Sequence, residues 1–183
     1  ENLVHMPSVQ DHKRAYEDDT GPNTWGMGTY SDSDHSLPFL EKSQIESAQK
    51  INEATAKALK HKFGEGYKGI LYGGFIATNT GVQLIEYNAR FGDPEAMNIL
   101  SILDSDLIEI CEAIISEDLK KTKIVFKNLA TVCKYAVPKG YPDDPVKGHQ
   151  IYVSEVKNKN ILFYASVENK NDNLIQIGSR AIA

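Results

Sequence analysis

Residues 84–95 read Leu-Ile-Glu-Tyr-Asn-Ala-Arg-Phe-Gly-Asp-Pro-Glu, and this stretch is the most informative part of the chain. Its first five residues are interpreted as an alternating apolar and polar run, which predicts a half-buried β-strand. Glu86 and Asn88 are two residues apart, so both side chains leave the same face of that strand. A carboxylate and an amide oxygen side by side suit a hard divalent cation such as Mg²⁺. Such triplets are common, and the triplet alone is more typical of an exposed strand edge that carries ordinary polar residues.

The residues that follow this strand add a candidate anion-binding side chain and the start of a helix. Arg90 presents a fixed fork of donors that suits a phosphate or a carboxylate. Asp93 is predicted to be the N-cap of a helix, with Pro94 at the first helical position and Glu95 favoured there by the helix dipole.

The composition limits the class of protein. The 183 residues are enough for one sizeable core or for two small domains, and the apolar fraction of 41% and charged fraction of 25% are those of an ordinary soluble globular protein. No apolar run is long enough to span a bilayer, and no secretory signal is visible at the start. The net charge of -5 argues against a general nucleic-acid binder.

The chain contains two cysteines, Cys111 and Cys133. They form no CxxC pair and have no histidine nearby at the spacing of metal ligands. We predict that both are buried thiols and that the protein is cytoplasmic.

Turn-forming and helix-capping residues, together with the periodicity of apolar residues, predict the order of the helices and strands. Residues 7–36 are predicted to form a long functional loop. A helix is predicted over 43–63, with Ser43 and Glu46 as its capping box, and another over about 106–120. Strands are predicted near 67–78, 82–89, 130–137, 151–155, 161–167 and 174–177. The expected fold class is α+β, with an antiparallel sheet and helices in residues 1–122 and a small β-rich domain in residues 123–183.

The loop at residues 10–30 is the second candidate for chemistry. Glycines at 21, 26 and 28 allow positive φ and a close approach of the backbone, so successive N–H groups could converge on an anion. Lys13 and Arg14 add positive charge, and Asn23 and Thr24 add hydrogen-bonding groups. The alternative is a surface turn whose glycines serve only tight bends.

Four segments together resemble one family. They are DHKR at 11–14, D-x-GPNT-x-GMG-x-Y at 19–30, LYGG at 71–74 and EYNARFGDPE at 86–95. In this order they closely resemble the glycinamide ribonucleotide synthetases, also called phosphoribosylamine–glycine ligases, of the ATP-grasp superfamily. Trp25 stands where that family usually has glycine, and Gly74 stands where some of its members have glutamine.

The resemblance implies an activity and its partners. The family uses ATP to join glycine to 5-phosphoribosylamine through an acyl phosphate, in purine biosynthesis, with Mg²⁺ or Mn²⁺ bound to the ATP phosphates. The fold implied is the second half of an ATP-grasp unit followed by the start of the small C-terminal domain. Another ATP-grasp carboxylate–amine ligase, or a non-catalytic nucleotide-binding module, remains an alternative. No nucleic-acid or membrane partner is expected.

The resemblance also implies roles for individual residues. Glu86 and Asn88 match the metal ligands, and Arg90 and Asp93 match catalytic positions. Asp93 and Glu95 either orient the glycine amine or only cap the following helix. Substrate and phosphate binding is implied for Lys13, Arg14, Asp19, Asn23, Thr24, Gly26, Met27, Gly28 and Glu95.

The same resemblance implies that other parts of the site lie elsewhere. In this family the lysines that hold ATP and the adenine pocket come from sequence upstream of the matched segment. The chain is therefore expected to act together with an upstream part of a parent protein. Alone, it is expected to bind metal and ATP weakly and to be inactive.

Overall fold

The computed structural model describes residues 2–183. In chain order the elements are β1 (Gln10–Tyr16), β2 (Thr20–Ser31), α1 (Lys42–Phe63), β3 (Tyr72–Thr78), β4 (Gly81–Asn88), α2 (Glu95–Ile102), α3 (Leu107–Ser116), β5 (Thr131–Lys134), β6 (Gln150–Ile151), β7 (Val167–Lys170) and β8 (Asn173–Gln176). Short 3₁₀ turns occur at Glu17–Asp19, Leu119–Lys121 and Lys159–Ile161. The pairs β1–β2, β3–β4, β6–β8 and β7–β8 are all antiparallel. The predicted α+β class with antiparallel sheets is confirmed.

The chain divides into two compact units, which we describe separately. The first unit consists of the residues up to Val9 together with Ser31–Thr131, and the second consists of Gln10–Tyr30 together with Val132–Ala183. The predicted domains, 1–122 and 123–183, stay a prediction. The compact units differ from them chiefly because residues 10–30 group with the C-terminal part of the chain. Within residues 2–183, no helix combines the length and the apolar character that crossing a membrane requires.

Helix α1 is capped at both ends. The Glu41 backbone N–H donates to Gln44 Oε1 at 2.8 Å, and the Glu41 side chain accepts from the backbone at Gln44, which makes a capping box. The predicted box of Ser43 and Glu46 is therefore wrong by two positions. The helix ends as predicted at Gly64, whose φ of 78° is the left-handed conformation that glycine adopts without steric cost.

Strands β3 and β4 form a two-stranded ribbon with one irregularity. Gly74 pairs with Glu86, but the next pair is Phe75 with Leu84, so Ile85 is an extra residue on β4. Asn79 and Thr80 form the turn between the two strands, since Thr78 pairs with Gly81. This ribbon carries the residues on which the metal prediction rests.

The helices that follow the ribbon begin at different kinds of cap. Helix α2 begins at Glu95 with Pro94 as its N-cap and no side-chain cap, so the prediction of Asp93 as N-cap is wrong by one residue. Helix α3 begins as predicted after Asp106, whose Oδ1 accepts from the backbone N–H of Ile108 at 2.7 Å. It ends at Ser116, four residues before the predicted end, because Glu117 takes a left-handed conformation with φ of 62°.

The core of the first unit includes apolar positions of α2 and α3. Ile99, Ile102 and Ile110 are buried there. Cys111 is exposed, so the prediction of a buried thiol is wrong at this position and right at Cys133, which is buried. The apolar face of helix α3 is broad, with polar side chains only at Glu109, Glu112 and Ser116, so the sequence pattern does not select which part of that face meets the core.

The second unit contains the hairpin of β1 and β2, with β5 beside β2, and a separate sheet in the order β6-β8-β7. The prediction of an irregular loop over residues 7–36 is wrong, because most of this segment forms the hairpin. Its glycines are accommodated in an irregular strand: His12 pairs with Gly28 and Arg14 with Asn23, so two steps on β1 match five on β2. The predicted strand over 161–167 is also wrong, since β7 begins at Val167.

Candidate functional site

The side chains of Glu86, Asn88 and Arg90 form a chain of hydrogen bonds at the end of β4. Asn88 Nδ2 donates to Glu86 Oε1 at 3.4 Å, and Arg90 Nη2 donates to Asn88 Oδ1 at 3.3 Å. Arg90 Nη1 donates to the carbonyl oxygen of Phe91 at 2.7 Å. The strand periodicity that places Glu86 and Asn88 on one face also explains why their side chains meet. The structure thus brings these three predicted residues together.

The donor set of this array fits a hard divalent cation. It offers carboxylate oxygens from Glu86 and an amide oxygen from Asn88, which retains a second lone pair beside the bond from Arg90. Gly74 lies opposite Glu86, and a Cβ built on Gly74 would come no closer than 3.8 Å to the Glu86 side chain. The flank of the carboxylate is therefore open. Among residues 2–183, no group of three or more His, Cys, Asp or Glu side chains suited to a metal occurs.

Asp93 and Glu95 differ in their surroundings. Asp93 is exposed, whereas Glu95 is buried, with 6% of its surface accessible. The hydroxyl of Tyr72 donates to Glu95 Oε1 at 2.6 Å. Tyr72 was not singled out from the sequence as a site residue, although its place two residues before Gly74 on a strand would have put it on the same face.

The second unit contains a cavity of about 410 Å³ between β1, β2 and β5. Four of the predicted substrate-binding residues line it: Arg14, Asp19, Met27 and Gly28. Further lining residues that carry polar groups were missed by sequence reasoning: His12, Tyr16, Glu17, Asp18, Thr29, Tyr30, Cys133 and Lys134. The alternation of His12 with Arg14 on one strand would have indicated the first of these. Lys134 is close to them only because β5 lies beside β2.

Other predicted residues of this loop do not line the cavity. Lys13 lies between His12 and Arg14 on the strand, so its side chain leaves the opposite face, and its Nζ is 3.8 Å from Asp11 Oδ2. Asn23, Thr24 and Gly26 are also absent from the lining residues. The structure therefore separates Lys13 from Arg14, although the two are adjacent in sequence and were both predicted to bind phosphate.

The glycines of the loop have roles in packing. A Cβ on Gly28 would lie 2.7 Å from the carbonyl oxygen of Cys133, so only glycine lets β2 approach β5 this closely. The backbone N–H of Gly26 donates to Thr24 Oγ1 at 3.2 Å, and its carbonyl accepts from Arg180 Nη1 at 3.3 Å. These groups of Gly26 are used within the protein, and this favours a structural role over the predicted anion-binding turn at this residue.

A protein-family model matches the part of the chain that contains the candidate metal ligands. The sequence profile of the family described as phosphoribosylglycinamide synthetase, ATP-grasp (A) domain, matches residues 1–96, just over half of the chain. The chain belongs to this family. The array of Glu86, Asn88 and Arg90 lies inside the matched segment, as do the β1–β2 hairpin and the β3–β4 ribbon.

Relatives of this phosphoribosylglycinamide synthetase family member carry consistent names. The chain is 56% identical over 186 residues to a phosphoribosylamine–glycine ligase of Methanocaldococcus jannaschii and 50% identical over 182 residues to one of Methanocella arvoryzae. All of this chain is aligned in both cases, but it spans only 42% of the length of each relative.

A solved structure shows the same similarity. The fold matches the crystal structure of a phosphoribosylamine–glycine ligase from Thermotoga maritima with a TM-score of 0.78 and 28% sequence identity. The match covers 97% of this chain and 42% of that one. ATP-grasp ligases as a class use ATP and a divalent metal ion, and the synthetase family shares that general chemistry.

Proposed function

We propose that this chain forms part of an ATP-dependent ligase that joins glycine to 5-phosphoribosylamine, giving glycinamide ribonucleotide in purine biosynthesis. The observation that carries the proposal is the hydrogen-bonded array of Glu86, Asn88 and Arg90. It occurs in a chain that is 56% identical to a protein named for this reaction. Because the chain spans 42% of that relative, the activity is proposed for a protein of the relative's length. The chain alone is expected to bind ATP and metal weakly and to be inactive.

The first group of residues would act on ATP. Glu86 and Asn88 would hold Mg²⁺ or Mn²⁺ through oxygen ligands. When bound there, the cation would neutralise charge on the ATP phosphates and orient the γ-phosphoryl group. Arg90 keeps donors beyond its two observed hydrogen bonds, and these would face phosphate or acyl phosphate oxygens. Asp93, which is exposed, would orient the glycine amine.

The reaction needs no nucleophile from the protein. A carboxylate oxygen of glycine attacks the γ-phosphorus of ATP, and the bond to the bridging oxygen of ADP breaks. The amine of 5-phosphoribosylamine then attacks the acyl carbon of the glycyl phosphate. Phosphate leaves with the electrons of the C–O bond, and the amine nitrogen loses a proton. The protein supplies position and charge stabilisation at each step.

The second group of residues would bind the phosphorylated amine. In the second unit, His12, Arg14 and Lys134 bring three basic side chains to a cavity that the acidic residues Glu17, Asp18 and Asp19 also line, so the phosphate is expected on the side of Arg14 and Lys134. One guanidinium donor of Arg14 is bound to the carbonyl of Gly21 at 2.8 Å, which fixes the orientation of the remaining donors. Asp19, Met27 and Gly28 complete the predicted contacts at this cavity. Direct contacts by Lys13, Asn23, Thr24, Gly26 and Glu95 stay predictions.

The test is a chimaera in which this chain replaces the matching segment of the Methanocaldococcus jannaschii relative. We expect ADP release that requires glycine and 5-phosphoribosylamine together, and its loss in the Glu86→Gln variant of the chimaera. Glu109→Gln, an exposed glutamate on α3, is the matched control and should keep the activity. ADP release triggered equally by other carboxylates would favour a different ATP-grasp ligase. Nucleotide binding without turnover would favour a non-catalytic module.

A cytoplasmic location is part of the same proposal. Cys111 and Cys133 are both free thiols, as is usual in a reducing compartment. Fractionation of cells that express the tagged protein would test it.

A further inference from the structure

The connection between β4 and α2 is fixed by a residue outside it. Tyr72 is the first residue of β3, and its register partner on β4 is Asn88. Paired residues of an antiparallel ribbon project from the same face, with their Cβ atoms about 5 Å apart. Tyr72 therefore lies beside the amide that the proposed function assigns to the metal.

The side chain of Tyr72 reaches the other end of the same connection. Its hydroxyl donates to Glu95 Oε1 at 2.6 Å, and Glu95 is the first residue of α2. Glu95 is buried, with 6% of its surface accessible. Hydrogen bonds to a charged acceptor are among the stronger ones in proteins.

The buried carboxylate is also packed against the connection itself. A Cβ placed on Gly92 would overlap Glu95 Oε2, so the other oxygen of Glu95 lies directly against the backbone there. The carbonyl of Gly92 accepts from the N–H of Ala96 at 3.0 Å, which ties the connection to the first turn of α2. Residues 89–94 are thus held at both ends by one tyrosine: through its strand pairing with Asn88 and through its hydroxyl on Glu95.

We propose that Tyr72 and Glu95 act as positioning residues that set the direction of the Asn88 and Arg90 side chains toward the metal–nucleotide complex. This inference rests on the proposed function of Glu86 and Asn88. Loss of the hydroxyl would release the start of α2 and let the connection move. Arg90, which lies within the connection, would then lose its alignment with Asn88 Oδ1.

The test compares Tyr72→Phe with the wild-type 183-residue chain, using Mn²⁺ and ATP as probes. Binding of the Mn²⁺–ATP complex to the protein is measured by equilibrium dialysis, stability by urea unfolding, and local opening by amide hydrogen exchange. Tyr67→Phe is the matched control, because the Tyr67 hydroxyl also makes one hydrogen bond, to the Ile70 carbonyl at 3.0 Å, in the same unit. We expect Tyr72→Phe to weaken Mn²⁺ binding in the presence of ATP about tenfold, the usual size of such supporting contacts. Exchange at the amides of Ala96 and Met97 should become faster, and Tyr67→Phe should change neither quantity.

The double variant distinguishes positioning from a general loss of structure. Glu95→Met, which keeps the length of the side chain but lacks the oxygen acceptor, should weaken Mn²⁺ binding like Tyr72→Phe, and combining the two should weaken it no further, because both remove the same hydrogen bond. Wild-type affinity in Tyr72→Phe, or unchanged exchange at Ala96 and Met97, would overturn the inference. Weaker binding that only follows a matching loss of global stability would also overturn it. If the wild-type chain binds no Mn²⁺ with ATP, the proposed metal site fails first, and the exchange result then shows separately whether Tyr72 holds the connection.

Discussion

The Tyr87 hydroxyl lies 2.8 Å from Asn52 Oδ1, which joins β4 to helix α1. A second hydrogen bond, 3.2 Å long, joins the same hydroxyl to Thr55 Oγ1. Because neighbouring residues of a strand leave opposite faces, Tyr87 packs toward the helix while Glu86 and Asn88 face away from it. The orientation of the candidate metal ligands therefore depends on which side of the ribbon α1 covers.

Removing this hydroxyl should reduce stability. Tyr87→Phe leaves the polar groups of Asn52 and Thr55 without their shared partner, and we expect a loss of about 1 kcal/mol in the free energy of unfolding. Urea denaturation measures it. Tyr152→Phe is a suitable control, because Tyr152 is largely exposed and its hydroxyl bonds only to Gln150 at 3.2 Å. An equal loss in both variants would contradict a special role for the contact with α1.

Gly28 and Gly66 should respond to alanine in opposite directions. Gly28→Ala forces a Cβ to within 2.7 Å of the Cys133 carbonyl, and we expect a loss of about 1–3 kcal/mol as β2 and β5 separate. The Cβ of Gly66→Ala would have no atom within 4 Å. The substitution should leave the free energy of unfolding unchanged or raise it by about 0.4–1 kcal/mol, because alanine lowers the conformational entropy of the unfolded chain. Urea unfolding of both variants decides. An unchanged stability in Gly28→Ala would show that this glycine serves something other than strand packing.

Two isoleucines near each other in sequence should differ sharply. Ile102 is 1% exposed and Ile108 is 69% exposed. Ile102→Ala should lower the free energy of unfolding by about 2–5 kcal/mol, because it leaves a cavity in the core. Ile108→Ala should change it by less than about 0.5 kcal/mol. Comparable losses would mean that the exposed side of α3 is covered in solution.

The ion pair of Lys68 and Glu117 should make stability depend on pH. Lys68 Nζ lies 2.8 Å from Glu117 Oε1. The hydrogen bond and positive charge of Lys68 lower the pKa of Glu117, and the hydrogen bond and negative charge of Glu117 raise the pKa of Lys68. The stabilisation by Glu117 is present above its ordinary pKa of 4.5 and is lost as the pH falls through the lowered value. That of Lys68 is present below its ordinary pKa of 10.5 and is lost as the pH rises through the raised value.

Glu117→Gln tests this pair. Both groups are exposed, so the effect should be small and should weaken with added salt. Urea unfolding of the wild type should show a fall in stability below pH 4.5 that is shallower in Glu117→Gln. Glu109→Gln should retain the wild-type slope. A Glu117→Gln profile identical to that of the wild type would contradict the pairing.

Local signals predicted the parts of the fold that depend on neighbouring residues. The shared face of Glu86 and Asn88, the start of a helix near Asp106 and the end of α1 before Gly64 each follow from a few adjacent residues. The capping box was misplaced because Ser43 and Glu46 fit both positions of the Ser/Thr-x-x-Glu/Gln pattern. Glu41 and Gln44, which form the box in the structure, fit only its second position. The choice between these two starts of α1 depends on where the residues before the helix pack.

The remaining features depend on contacts between distant parts of the sequence. Cys111 could not be placed, because the apolar face of α3 is broad and only the neighbouring elements decide which part of it is covered. The hairpin at residues 10–31 was hidden by glycines that are needed for β2 to lie against β5. Lys134 joins the cavity, and Tyr72 reaches Glu95, through pairings of strands that no local pattern specifies.

Binding of Mn²⁺ by the 183-residue chain in the presence of ATP tests the assignment of Glu86 and Asn88 most directly. Equilibrium dialysis of the Mn²⁺–ATP complex against the protein measures the affinity in the wild type, in Glu86→Gln and in the control Glu109→Gln. The account predicts measurable binding in the wild type and the control, and a loss of at least about tenfold in Glu86→Gln. Equal affinity in Glu86→Gln and the wild type would contradict the assignment of the metal to this strand.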